Sequence, residues 1–214
     1  MLIASADDRA LVEGATPEGL TVAFGIEPAD EARIRFSAHA LAGERLVAPS
    51  GPGLWRRAPW PAADVLFELP LPAPDAPALV VDSESSRRAE FGRLLREHGV
   101  GVRLAERLRR EDLEAVGTVV YPEETGFPAT LPAVAAAGRL PVLRSPGAAF
   151  GWQDGIDCLV AADTNELVVL AQAAALRPLS FDPLRRMTRL TARAWRASDV
   201  YARLAFDVSV GVGG

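Results

Sequence analysis

The residues best placed to do chemistry are Glu123 and Glu124, side by side and followed by Thr125, Gly126 and Phe127. They come directly after Thr118-Val119-Val120-Tyr121, a β-branched run of the kind that forms a buried strand. A small-residue segment from Leu131 to Gly138 follows, and then a second apolar run, Leu140-Pro141-Val142-Leu143. Strand, polar loop, helix and strand make a strand–helix–strand unit of a parallel sheet, and ligands of such sheets bind at the carboxyl ends of the strands. The loop Glu123 to Phe127 lies at that edge, so a small-molecule site is expected there first.

Several chemistries are excluded by what the chain lacks. All 23 basic residues are arginine, which removes Schiff-base catalysis, a P-loop lysine and a lysine general base. Cys158 is the only cysteine; within the strand-like run Ile156 to Val160 it reads as a buried thiol rather than a nucleophile. His39 and His98 share no metal-ligand spacing, and His98, ahead of Gly99, fits the end of a helix. No G-x-G-x-x-G turn follows a first strand and no G-x-S-x-G elbow occurs, so neither a cofactor nor a metal is expected. With 214 residues, 49% of them hydrophobic, and a net charge of -5, the chain can bury a full core and has no positive excess for nucleic acid. No apolar run reaches the roughly 20 residues of a membrane span. The segment around Asp7 and Asp8 lacks the features of a leader, so a cytoplasmic protein is expected.

The elements that must position the loop follow from hydrophobic patterning. Leu20 to Ile26 suits a strand. Arg33 to Leu41 alternates as a half-exposed strand, with Ala42-Gly43 as a turn and Arg45 to Ala48 as its return; a helix from Ala32 to Leu41 is the alternative. Trp55, Arg56, Arg57 and Trp60 either form an aromatic and cationic recognition patch or cover the edge of a small sheet. Val65 to Leu69 reads as another strand. Pro70, Pro72, Pro74 and Pro77 then interrupt regular structure and mark a linker. After it, strands are expected at Ala78 to Val81, Val100 to Leu104, Thr118 to Tyr121, Leu140 to Leu143 and Ile156 to Ala161. Helices are expected from Ser86 to His98, Arg110 to Val116, Leu131 to Gly138 and Thr164 to Leu176. From Asp182 to about Phe206 a last helical region places Leu184, Met187, Leu190, Ala194 and Trp195 on an inward apolar stripe, with Arg185, Arg186, Arg189, Arg193 and Arg196 on the outer face. The glycine-rich tail from Val208 either docks or lacks fixed structure. The expected fold is α/β: a parallel Rossmann-like sheet with helices on both faces over residues 76–214, preceded by a small strand-rich region and Pro-rich linker over residues 1–75.

From Ala78 to about Phe206 this order of elements resembles the carboxy-terminal, nucleotide-sugar-binding domain of GT-B glycosyltransferases, particularly the large family-4 type. The family's R-E-D-L helix resembles Arg110-Glu111-Asp112-Leu113. Its P-S-x-x-E-G-F-G loop resembles Pro122 to Phe127, and its L-E-A-M-A-A-G-x-P-V-V segment resembles Leu131 to Leu143. Its D-G-x-x-G-L-L-V run with a following D-x-x-E-L resembles Asp154 to Val160, Asp163 and Glu166-Leu167. The resemblance implies a nucleotide-sugar pocket drawn from Ser83, Glu123, Thr125, Gly126, Phe127 and Ser145, with Glu124 as the catalytic carboxylate.

The departures bear on activity. Family members carry two glutamates separated by seven residues, one near the donor sugar and one on its ribose; Thr125 and Ala133 stand at those positions. Glu124, one residue early, is the substitute for the first. The family's lysine on the donor diphosphate has no counterpart. Losing the ribose contact removes about 1.5–3 kcal/mol, and losing the clamp removes a comparable term in the transition state. The resemblance also implies a second domain of similar size across the cleft, for which 75 residues are too few. The reading that follows is a degenerate glycosyltransferase-like protein, non-catalytic alone, which binds a partner glycosyltransferase or another copy of itself. The alternative is a divergent retaining glycosyltransferase that takes a nucleotide-sugar, uses Glu123 or Glu124 and has its cleft completed by another chain. A response-regulator receiver, suggested by Val80-Val81-Asp82, fails because Tyr121-Pro122 replaces its phosphorylated aspartate and its lysine is absent.

Overall fold

Residues 62–123, 130–144 and 152–202 are described in full by the computed structural model, together with the backbone of four short strands nearer the amino terminus. Glu124, Thr125, Gly126, Phe127 and Ser145 lie outside the described residues, as do His39, the Ala42-Gly43 turn with its return through Ala48, Trp60 and the tail from Val208. The chain divides into two compact units, Met1–Trp60 with Ser198–Gly214, and Pro61–Ala197.

In the first unit β1 (Leu2–Ala4), β2 (Thr21–Phe24), β3 (Ile34–Ser37) and β4 (Leu54–Arg57) form a parallel sheet in the order β1-β2-β3-β4. The β2 strand sits within the apolar run Leu20 to Ile26, and β3 decides the strand against the helix. The expected hairpin is corrected. Both edges of β3 are taken by parallel neighbours, with Phe24 beside Phe36 and Ile34 beside Leu54. A parallel partner needs a long crossover rather than a tight turn. Trp55, Arg56 and Arg57 belong to β4.

The second unit is a five-stranded parallel sheet in the order β6-β5-β7-β8-β9, made by β5 (Ala78–Val81), β6 (Val102–Ala105), β7 (Thr118–Tyr121), β8 (Leu140–Leu143) and β9 (Leu159–Val160). The helices are α1 (Ser85–Glu97), α2 (Arg110–Ala115), α3 (Leu131–Ala136), α4 (Thr164–Leu176) and α5 (Asp182–Ala192). Alternate strand residues feed two cores, because successive side chains of a strand point to opposite faces. Ala78, Val80, Val120 and Val142 pack with Phe91 and Leu95 of α1 and Leu167 and Ala171 of α4. Leu79, Val119, Tyr121 and Leu143 pack with Leu131 and Val134 of α3 and Ala192 of α5. Trp152 and Trp195 stack in this second core at 4.8 Å and 7°. The α/β arrangement with helices on both faces is the one that the patterning predicts.

Three expectations are corrected in this unit. Val65 to Leu69 is not a strand: Asp64–Glu68 form a 3-10 helix, so that Leu66 drops into the core while Val65 stays in solvent. Its position is set by Ala62, which pairs with the chain at Trp195 and Ala197 through hydrogen bonds of 2.7 and 2.8 Å. The strand expected from Ile156 to Ala161 begins only at Leu159. Gly155 turns there at φ +71°, and Asp157 and Asp154 accept from the main-chain N–H of Gln153 and Val160.

The third correction concerns α5: Leu184 packs against the core, Trp195 beyond the helix is buried and Arg186 and Arg193 are exposed, as expected, but the other expected positions are not kept. Arg185 and Thr188 are buried, Arg189 is partly buried, and Met187 and Leu190 are exposed. Helix carbonyls that have no partner at a carboxyl end need donors, and arginine reaches them. Arg185 donates to the carbonyls of Pro178, Ala174 and Gly117. Arg189 donates to those of Leu69 and Ala137, and Arg139 to those of Leu113 and Pro70. These three guanidinium groups finish the helix ends at the amino-terminal edge of the sheet and hold the proline-rich segment against it. Among the described residues no single helix is long and apolar enough to cross a membrane.

Candidate functional site

The sheet reverses direction between β5 and β7. From β5 the chain crosses to β6 on one side and later returns to β7 on the other, so the loops after β5 and β7 diverge and leave a crevice at their carboxyl ends. Ser83 and Glu123, two of the residues expected in a pocket, follow these neighbouring strands, and both are exposed.

Between them lies a charge network built around the end of β5. Asp82 closes β5 and is buried, yet it is fully engaged. Its carboxylate accepts from Arg87 Nε at 2.5 Å, from Arg87 Nη2 at 2.9 Å and from the N–H of Glu84 at 2.7 Å. Glu84 adds an ion pair to Arg87 at 2.8 Å and accepts from the Ser86 hydroxyl at 2.6 Å. Arg88 donates to the Asp82 carbonyl. The Arg87 guanidinium is pushed above its ordinary value, first by the hydrogen bond with Asp82 and then by the charges of Asp82, Glu84 and Glu123. The sequence signal for the network was a carboxylate closing a buried strand with two arginines in the next helical turn.

On the other side of Glu123, the Tyr121 hydroxyl meets the Thr130 hydroxyl at 2.8 Å. Burial pushes the tyrosine strongly upward, so it stays protonated and neutral. This contact ties the end of β7 to the residue that opens α3, bracketing the expected loop. Ala133, where the resemblance puts a glutamate on the ribose, lies in α3 and packs against the core. Cys158 is buried far into the sheet, and burial, followed by the charges of Asp157 and Asp154, pushes its thiol up to about 12.

Among the described residues at this edge, Ser83 and Glu123 are exposed, whereas Arg87 is paired with Asp82 and Glu84.

No family model and no curated protein sequence matches the chain. Solved structures do. Sucrose-phosphate synthase from Thermosynechococcus elongatus superposes with a TM-score of 0.64 at 13% identity, over 86% of this chain and 60% of that one. Anabaena HepE, in complex with UDP and glucose, superposes with a TM-score of 0.62 at 10% identity, over 84% of this chain and 64% of that one. A chain of the GtfA/B complex gives 0.54 at 11% identity, over 87% and 47%. The fold is that of the GT-B glycosyltransferases. The chain spans less than two thirds of the length of these three GT-B structures.

Proposed function

We propose that the chain is a glycosyltransferase-like binding or accessory subunit that turns over no sugar donor alone and acts on a partner glycosyltransferase. The observation that carries this reading is the occupation of Arg87 by Asp82 and Glu84 at the switch point. Transfer from a nucleotide-sugar requires positive groups aimed at the charge that develops on the leaving diphosphate. Here that role is forestalled by internal carboxylates. The apolar Ala133 on α3 supports the same reading, as does similarity to a chain found in the GtfA/B complex.

A second reading is favoured by the exposure of Glu123 and by similarity to HepE, whose structure holds UDP and glucose. In it the chain is a divergent retaining glycosyltransferase, with Glu124 at the sugar and the cleft completed by another chain.

The test is to incubate the purified chain with UDP-, GDP- and ADP-sugars, following released nucleotide and the thermal midpoint together. The accessory reading expects no turnover and no shift at millimolar donor, and turnover by the chain alone would sink it. The second reading expects a shift with one donor that Glu124→Ala abolishes, and it fails if no donor moves the midpoint.

A further inference from the structure

A shallow groove of about 490 Å³ runs beside α5, lined in part by Gly155, Ile156, Leu159, Phe181, Leu184 and Met187. It lies apart from the switch-point crevice, on the strand β9 side of the sheet. Ile156 and Met187 are 46% and 42% exposed at its rim, and Leu190, one turn along α5, is 50% exposed. Large apolar side chains grouped on an exposed face mark an interaction surface. Their spacing is informative: Pro183, Met187 and Leu190 follow one another at intervals of four and three, the seam that a second helix packs against. Arg186 and Arg193, seven residues apart, are both exposed and flank that seam where interhelical charge pairs form. Neither pairs with a carboxylate among the described residues, whereas the buried Arg185 and the partly buried Arg189 are taken up by main-chain carbonyls.

We propose that this face docks an acidic amphipathic helix of a partner protein, apolar at the positions facing Met187 and Leu190 and carrying aspartate or glutamate beside Arg186 and Arg193. The inference rests on reading the chain as a binding subunit. Two features favour this occupant. The groove is recessed at Leu159 and Leu184, which suits protruding side chains from a helix better than a flat layer of headgroups. A second copy docked through the same face in antiparallel fashion would set arginine against arginine.

The probe is a fluorescent helical peptide of about 20 residues, with leucine at the seam positions and glutamate on both flanks, titrated with the full chain by anisotropy. The expected result is micromolar binding that weakens about tenfold or more in the Arg186→Glu, Arg193→Glu double variant and in Met187→Asp. A matched peptide with lysine flanks should show the reverse charge preference. Because all three positions are exposed, circular dichroism should find the variants folded. Equal binding of acidic and basic peptides, no binding of either, or binding unchanged by the substitutions overturns the proposal. So does wild-type binding to vesicles of phosphatidylserine and phosphatidylcholine, or a dimer seen by sedimentation, that the same substitutions abolish. Donor turnover by the isolated chain would sink the accessory reading without altering the peptide titration, so the two failures are distinguishable.

Discussion

Asp82 and Cys158 show how burial sets the behaviour of single groups here. Removing one member of a buried ion pair leaves the other charge uncompensated and costs about 3–5 kcal/mol when both are fully buried. Asp82 is fully buried as a side chain, but Arg87 is 29% exposed and keeps Glu84 as a second partner. Asp82→Ala is therefore expected to lower unfolding stability by about 2 kcal/mol, below that range, in urea titrations at neutral pH. Cys158 gives a pH dependence with a definite sign. Its thiol is raised from 9.0 to about 12 in the folded chain, so above pH 9 the unfolded chain releases its proton first. Stability is flat in this group below pH 9 and falls as pH rises from 9 toward 12. Between pH 9 and 10 the loss is about 1 kcal/mol, and Cys158→Ala should remove it, measured as the difference in urea midpoints between the two proteins. Arg139 acts in the opposite direction at higher pH. Its guanidinium is lowered to about 10 by burial and by the charges of Arg189 and Arg185; the unfolded chain then binds the extra proton, and this term rises with pH above 10.

Among the elements, α5 carries the clearest lesson about reading a sequence. Strands β5, β7 and β8 and helix α4 were legible because apolar runs, β-branched residues and Gly or Asp boundaries all agreed. The 3-10 segment Asp64–Glu68 was not, since three consecutive apolar residues fit a strand as well as a tight turn. In α5 Leu184 faces the core and Arg186 the solvent as the periodicity predicts, but Arg185 and Arg189 turn inward and Met187 and Leu190 outward. Hydropathy ranks arginine as a surface residue, yet its stem packs like a hydrocarbon and its planar head satisfies several carbonyls at once. What decides the inward face is the unpaired ends of α2, α3 and α4, which no local pattern reveals. The consequence is measurable by substituting neighbours. Arg185→Met strands the carbonyls of Pro178, Ala174 and Gly117 and should cost about 3 kcal/mol, whereas Arg186→Met, on the solvent side, should stay within about 0.5 kcal/mol. Equal effects in urea denaturation would show that the face is assigned wrongly.

At the scale of the whole molecule, the strand-and-helix alternation located the sheet edge and therefore Ser83 and Glu123, because topology alone fixes which loops share an edge. It could not locate the Asp82–Arg87 pair as a filled charge site, since that depends on how the first turn of α1 folds back over the end of β5. The GT-B architecture and the occupied arginine are thus separate facts with separate origins: one follows from the order of elements, the other from side-chain geometry within a few residues. The Tyr121–Thr130 contact adds a further property of the architecture. By clasping the end of β7 to the start of α3, it sets the distance that any connection between them must span, a constraint that belongs to the framework and not to the connection's own sequence.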